Sequence, residues 1–131
     1  MSGLIPQELG RLTSLSELDL SSNNLTGVIP ASFGNLGNTT TLYLYENQLF
    51  GSIPQELGML SSLSELDLSA SNLIGVIPTS LGNLSNLIIL HLFENQLSGS
   101  IPQELGMLSS LSELDLAANN LIGVIPTSLG N

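Results

Sequence analysis

The sequence contains no cysteine, no lysine and no tryptophan, and its only arginine is Arg11. Without cysteine, disulfides, thiolate metal sites and cysteine nucleophiles are excluded. One basic side chain stands against eleven carboxylates, for a net charge of −10. Such a surface repels phosphate backbones and anionic lipid, so neither nucleic acid nor a membrane surface is an expected partner. Charged residues total only 9% and apolar residues 42%, which is too apolar for a disordered acidic tail. No apolar run approaches the roughly 20 residues needed to span a bilayer, so membrane insertion is not expected. Met1-Ser2-Gly3 leads directly into periodic sequence, so no leader peptide is expected, and 131 residues suit one domain.

A 24-residue period is present. After a half repeat at 2–11, five repeats occupy 12–35, 36–59, 60–83, 84–107 and 108–131, on the frame LxxLxxLxLxxNxLxGxIPxxLGx. The LxL pairs (Leu18/Leu20, Leu42/Leu44, Leu66/Leu68, Leu90/Leu92 and Leu114/Leu116) alternate with polar residues at period two. This predicts half-buried strands with leucines inward. Asn23, Asn47, Asn95 and Asn119 close four of these strands, where a buried amide can bond the turning backbone of neighbouring rungs. The Gly of each GxIP segment permits positive φ or close backbone approach. The following Pro suits the start of a short helical turn. Leu or Phe before the next Gly (Leu9, Phe33, Leu57, Leu81, Leu105 and Leu129) returns the chain to the core. No single unit can bury its own leucines, whereas stacked units share one core, so a solenoid with a parallel sheet is expected.

With its LxGxIP segment, this frame resembles the plant-specific class of leucine-rich repeats, found in receptor-like-kinase ectodomains and polygalacturonase-inhibiting proteins. The resemblance covers nearly the whole chain. It implies a leucine-rich-repeat solenoid, a horseshoe or superhelix of the α/β class. The parallel sheet would lie on the concave face and short helical or 3-10 turns on the convex side. It also implies an extracellular module that binds peptides, proteins or cell-wall components on the concave face. Neither catalysis nor a cofactor is expected, because the repeat offers no catalytic or phosphate-binding constellation.

The chain departs from the family frame in several respects. The cysteine-paired cap is absent. Ser71 replaces the ladder Asn, predicting a weakened third rung, and Thr39 replaces a core Leu, predicting a polar intrusion at the second. Odd repeats resemble one another, as do even ones; residues 53–83 and 101–131 differ only at Ser69/Ala117 and Ser71/Asn119. Such uniformity fits recent duplication or consensus design, and keeps open an alternative function as a structural or self-associating array without a cognate ligand.

The outward strand positions define the candidate site. Across successive rungs the middle position reads Asp19, Tyr43, Asp67, His91 and Asp115. Two residues upstream lie Glu17, Thr41, Glu65, Ile89 and Glu113, and two downstream lie Ser21, Tyr45, Ser69, Phe93 and Ala117. Glu46 and Glu94 close the even strands. Acidic rungs therefore alternate with aromatic ones, and eight of the eleven carboxylates fall on this face. Four large side chains (Tyr43, Tyr45, His91 and Phe93) exceed what solubility requires in so aromatic-poor a chain. The expected partner is a cationic protein or peptide, with Tyr43, Tyr45 and Phe93 as anchors.

Glu17 with Asp19, Glu65 with Asp67, and Glu113 with Asp115 place like charges about 6–7 Å apart on one strand face. Unrelieved, that repulsion would make the folded state bind protons more readily and gain stability on mild acidification. His91 has no partner set for metal binding or acid-base catalysis beyond carboxylates. No GxSxG elbow, triad spacing or phosphate loop is present. Asn24, Asn38 and Asn83 match the N-glycosylation acceptor pattern. Leu4 and Ile5 at one end, and Leu114, Leu116 and Leu121 at the other, predict homodimers through uncapped ends or edges.

Overall fold

The computed structural model describes residues 2–127. The chain climbs as a solenoid in which each full turn lays down one strand, a second short strand and one 3-10 turn. Ten strands follow in chain order: β1 Ser2–Leu4, β2 Glu17–Asp19, β3 Asn24–Thr26, β4 Thr41–Tyr43, β5 Phe50–Ser52, β6 Glu65–Asp67, β7 Asn72–Gly75, β8 Ile89–His91, β9 Gln96–Leu97 and β10 Glu113–Asp115. The even-numbered strands form one parallel sheet, in the order β10-β8-β6-β4-β2, on the concave face. Its register advances by 24 residues per strand, so Leu18, Leu42, Leu66, Leu90 and Leu114 lie side by side. The three central leucines of that row are fully buried.

The convex 3-10 turns each begin after a proline in extended conformation, as at Pro54 (φ −64°, ψ 132°) before Gln55–Met59. Proline supplies the required φ and offers no N–H to be left unpaired. These turns stack tightly. A Cβ added at Gly58 would lie 2.5 Å from the Ser80 carbonyl oxygen, so glycine here is demanded by its neighbour's backbone. Gly51 meets the other requirement, with φ +78° and Val28 Cγ1 2.9 Å from where its Cβ would stand.

Asparagine ties neighbouring rungs together at the ends of β4, β8 and β10. Asn47 Nδ2 donates to the carbonyls of Leu44 (3.0 Å), Tyr45 (3.3 Å) and Leu20 of the preceding rung (3.0 Å). Its Oδ1 accepts the Leu25 N–H at 3.1 Å. Asn95 and Asn119 repeat the pattern. The residue before each ladder position (Ser22, Glu46, Ala70, Glu94 and Ala118) sits at φ 54–55°. That left-handed turn aims the next side chain back at the strand end, at a cost of about 1–2 kcal/mol for a residue with a Cβ.

The structure departs from the sequence reading in three places. Thr39 is fully buried, but its hydroxyl donates to the Leu15 carbonyl at 2.8 Å, so the polar intrusion is satisfied. Ile5 is buried, at 6% exposure, because it turns inward as Ile29, Ile53 and Ile77 do, whereas Leu4 stands open. A second parallel arrangement, β1-β3 and β5-β7-β9, runs along the side of the solenoid and was not anticipated. Its strands pair with an offset of 22 residues, so each slides two positions past its neighbour. Leu129 and the close of the fifth repeat lie outside the described residues.

Candidate functional site

All twelve candidate residues of the strand face lie along the concave sheet. Glu17, Thr41, Glu65, Ile89 and Glu113 form one row across the strands, and Asp19, Tyr43, Asp67, His91 and Asp115 form the next. Tyr45 and Phe93 follow two residues later, and Glu46 and Glu94 occupy the left-handed positions. Two aromatic pairs stand on this face. Tyr43 and Tyr45 meet edge to face with centroids 5.6 Å apart, and His91 and Phe93 are tilted at 5.7 Å. Both fall in the range where ring pairs attract, and each presents a larger apolar surface than either ring alone.

The acids between them are engaged by donors that the repeat pattern did not reveal. Asp19 accepts the Ser21 N–H, Asp67 the Ser69 N–H and Asp115 the Ala117 N–H, each at 3.0 Å. These two-residue turns are a local habit of aspartate. Glu46 accepts the Ser22 hydroxyl at 3.0 Å, and the Tyr43 hydroxyl donates to Glu65. The imidazole of His91 lies between two further rungs, with Nδ1 3.3 Å from Asp67 and Nε2 3.3 Å from Glu113. A neutral imidazole can donate to one of these, and an imidazolium to both. The aspartate of each like-charge pair is therefore engaged by a backbone N–H two residues on. The Asp-x-Ser spacing of the first and third repeats was the available signal there; the Tyr43–Glu65 contact crosses rungs and had none.

Glu65 changes the chemistry of Tyr43. Its accepted hydrogen bond, then partial burial, then its charge push the Tyr43 hydroxyl up from 10.0 to about 12. The folded state thus holds this proton more tightly than the unfolded chain does. The contribution is present below pH 10 and is lost as pH rises towards about 12. In a spectrophotometric titration Tyr43 should ionise near pH 12, and Glu65→Gln should bring it back towards 10.0. An unchanged titration in that variant would show that Glu65 is not the cause.

The three acceptor-pattern asparagines lie elsewhere. Asn24 is exposed on the lateral strand β3, and Asn83 is exposed at the end of the 3-10 turn Thr79–Asn83. Asn38 is exposed beside β4, where its amide donates to the Thr13 carbonyl at 2.9 Å. Grooves of about 680 Å³ also open on the lateral side, one of them lined by Val28, Pro30, Ser52 and Pro54. Among the described residues no group of three or more His, Asp or Glu side chains could hold a metal ion. No helix among them is long and apolar enough to cross a membrane.

The leucine-rich repeat family model matches residues 13–74 and 61–121, and the chain belongs to that family. Among solved structures it is similar to the ectodomain of the Arabidopsis thaliana membrane receptor kinase GASSHO1/SCHENGEN3, solved with CASPARIAN STRIP INTEGRITY FACTOR 2. That match is 47% identical with a TM-score of 0.97, covering 98% of this chain and 15% of the receptor's. The Arabidopsis receptor kinase HAESA, solved with the peptide hormone IDA and the co-receptor SERK1, matches at 43% identity and a TM-score of 0.94, over 98% and 22% of the two chains. A plant ice-binding protein matches at 36% identity and a TM-score of 0.92, over 98% and 42%. The chain thus spans 15–42% of these three matched chains, and it is an array of the kind that builds plant receptor ectodomains.

Proposed function

We propose that the chain is a peptide-binding segment of a receptor-like extracellular protein, taking an extended cationic peptide across the strands of its concave face. The observation that carries this reading is the alternation of acidic and aromatic rungs in register on one sheet. The acids of the first, third and fifth rungs recur about every 9.6 Å, twice the strand spacing. A peptide rising about 3.3 Å per residue would meet them with a basic side chain at every third position. Tyr43/Tyr45 and His91/Phe93 would contact the residues between. The similar HAESA ectodomain was solved with a peptide hormone, which supports this ligand class. The likeness to an ice-binding protein shows that the fold alone does not select a ligand, so the reading rests on the side chains.

Exposed ion pairs contribute about 0–1 kcal/mol each, whereas packed aromatic anchors contribute upwards of about 1–2 kcal/mol. Replacing Tyr43, Tyr45 and Phe93 with Ala should therefore weaken binding more than Glu17→Gln with Glu94→Gln. Higher salt should act mainly by slowing association. The check is calorimetry and stopped-flow kinetics on binders selected from a basic-peptide library. No binder above background, or binders that map to the 3-10 side, would overturn the reading.

A further inference from the structure

His91 is the chain's only histidine, and Arg11, in the first 3-10 turn, is its only other basic side chain. On the concave sheet His91 stands in β8 with acids on both sides. From β6, Asp67 lies opposite it and Glu65 two residues upstream; from β10, Asp115 lies opposite and Glu113 upstream. Glu65 accepts from Tyr43, and Asp115 accepts the Ala117 N–H. The imidazole meets the other two, with Nδ1 3.3 Å from Asp67 Oδ2 and Nε2 3.3 Å from Glu113 Oε2. One ring thus spans three strands, whereas Tyr43, at the same place in β4, donates to Glu65 of one neighbour. Asp67 Oδ1 already holds the N–H and hydroxyl of Ser69, so a proton donated by Nδ1 to Oδ2 engages both of its oxygens. The Asp67 side chain is only 15% exposed and that of Glu113 60%, so the Asp67 contact is the less screened of the two.

We propose that His91 is a proton-operated specificity residue of the concave face, which as imidazolium occupies Asp67 and Glu113 and withdraws them from a cationic ligand. This rests on the peptide-binding reading and adds its regulation. A neutral imidazole carries one N–H, so it donates to one acid while its other nitrogen turns a lone pair towards a carboxylate oxygen. The imidazolium donates to both and places a positive charge in the middle of the face. Imidazole is the side chain whose ordinary charge change falls between about pH 5 and 8. Proton and ligand cation then compete for the same two carboxylates, and each weakens the binding of the other by the same factor. Mild acid therefore releases a cationic ligand.

The experiment pairs two NMR measurements between about pH 7.5 and 5.5, above the range where ordinary carboxylates take up protons. With a single histidine in the chain, the imidazole signals are unambiguous. In the ligand-free chain at the acid end, both ring N–H protons should be protected from solvent exchange. Asp67→Asn should expose the Nδ1 proton, because asparagine keeps the oxygen that accepts from Ser69 but puts an NH2 in place of Oδ2. Glu113→Ala should expose the Nε2 proton. The second measurement titrates a short, histidine-free oligoarginine peptide, followed through the backbone amides of the concave strands. Its affinity should fall about fivefold from the neutral to the acid end, the upper limit for one exposed ion pair. The fall should follow the same curve as the imidazole signals. His91→Gln, which takes up no proton, should bind the peptide equally at both ends. Ring protons in rapid exchange at the acid end would overturn the proposal, as would a parent affinity that does not change or a fall that His91→Gln retains. A basic-peptide library without binders would instead overturn the peptide-binding reading, and it leaves both of these measurements readable.

Discussion

Ser71→Asn should raise the unfolding free energy by about 1–3 kcal/mol, the cost of leaving a buried polar group unsatisfied. The third rung carries the left-handed turn at Ala70 but not the amide that this turn serves elsewhere. Ser71 Oγ is buried without a partner. In the other rungs the amide oxygen accepts the N–H of Leu25, Leu73 or Leu97; the Leu49 N–H has no such acceptor. Asn119 occupies the equivalent place in an almost identical repeat, where it bonds Leu92, Leu116, Ala117 and Leu97 within 3.2 Å. The pocket for an asparagine therefore already exists in this fold. For a chain of this size the gain should lift Tm by roughly 3–5 °C per kcal/mol. Exchange of the Leu49 amide should slow in the same variant. A variant no more stable than the parent, with Leu49 exchange unchanged, would show that the ladder does not need its third member.

Gly58→Ala should have the opposite effect, and a larger one. The added methyl would lie 2.5 Å from the Ser80 carbonyl oxygen and 2.7 Å from Ser80 Cβ. Neither can swing aside, since the carbonyl is backbone and Ser80 is held by its hydroxyl bond to the Gln55 carbonyl at 2.7 Å. The two 3-10 turns must part, which loosens the packing of Leu57 and Leu81 beneath them, both fully buried. Overpacking of this kind costs about 3 kcal/mol, enough to lower Tm by roughly 10 °C. Gly37→Ala is the control, because nothing lies within 4 Å of the corresponding position there. Equal losses in the two variants would mean that the effect is a general one of replacing glycine, rather than the contact with Ser80.

The rungs, the inward leucines and the face carrying the candidate residues were legible from residue spacing. A period of two within each strand and 24 between strands leaves one arrangement that buries every Leu18-type position. That holds for Tyr43, Asp67 and His91, whose neighbours across the sheet sit one full period away. The ladder role of Asn47 was legible for the same reason: a polar residue at a fixed, buried place in every turn must find backbone partners.

What remained hidden depended on distances that spacing does not encode. The lateral strands pair with an offset of 22, not 24, so their neighbours cannot be read from the repeat. Their short segments, interrupted by glycine, lack the alternation that marks a strand. The engagement of Glu65 by Tyr43, and of Asp67 and Glu113 by His91, follows from side chains long enough to reach across rungs. The sequence alone thus determined the solenoid and its facing rows, because burying a repeated leucine allows few solutions. Tertiary structure decided which acids are engaged, how tightly the 3-10 turns stack and where the lateral strands lie, because those depend on the stagger between turns.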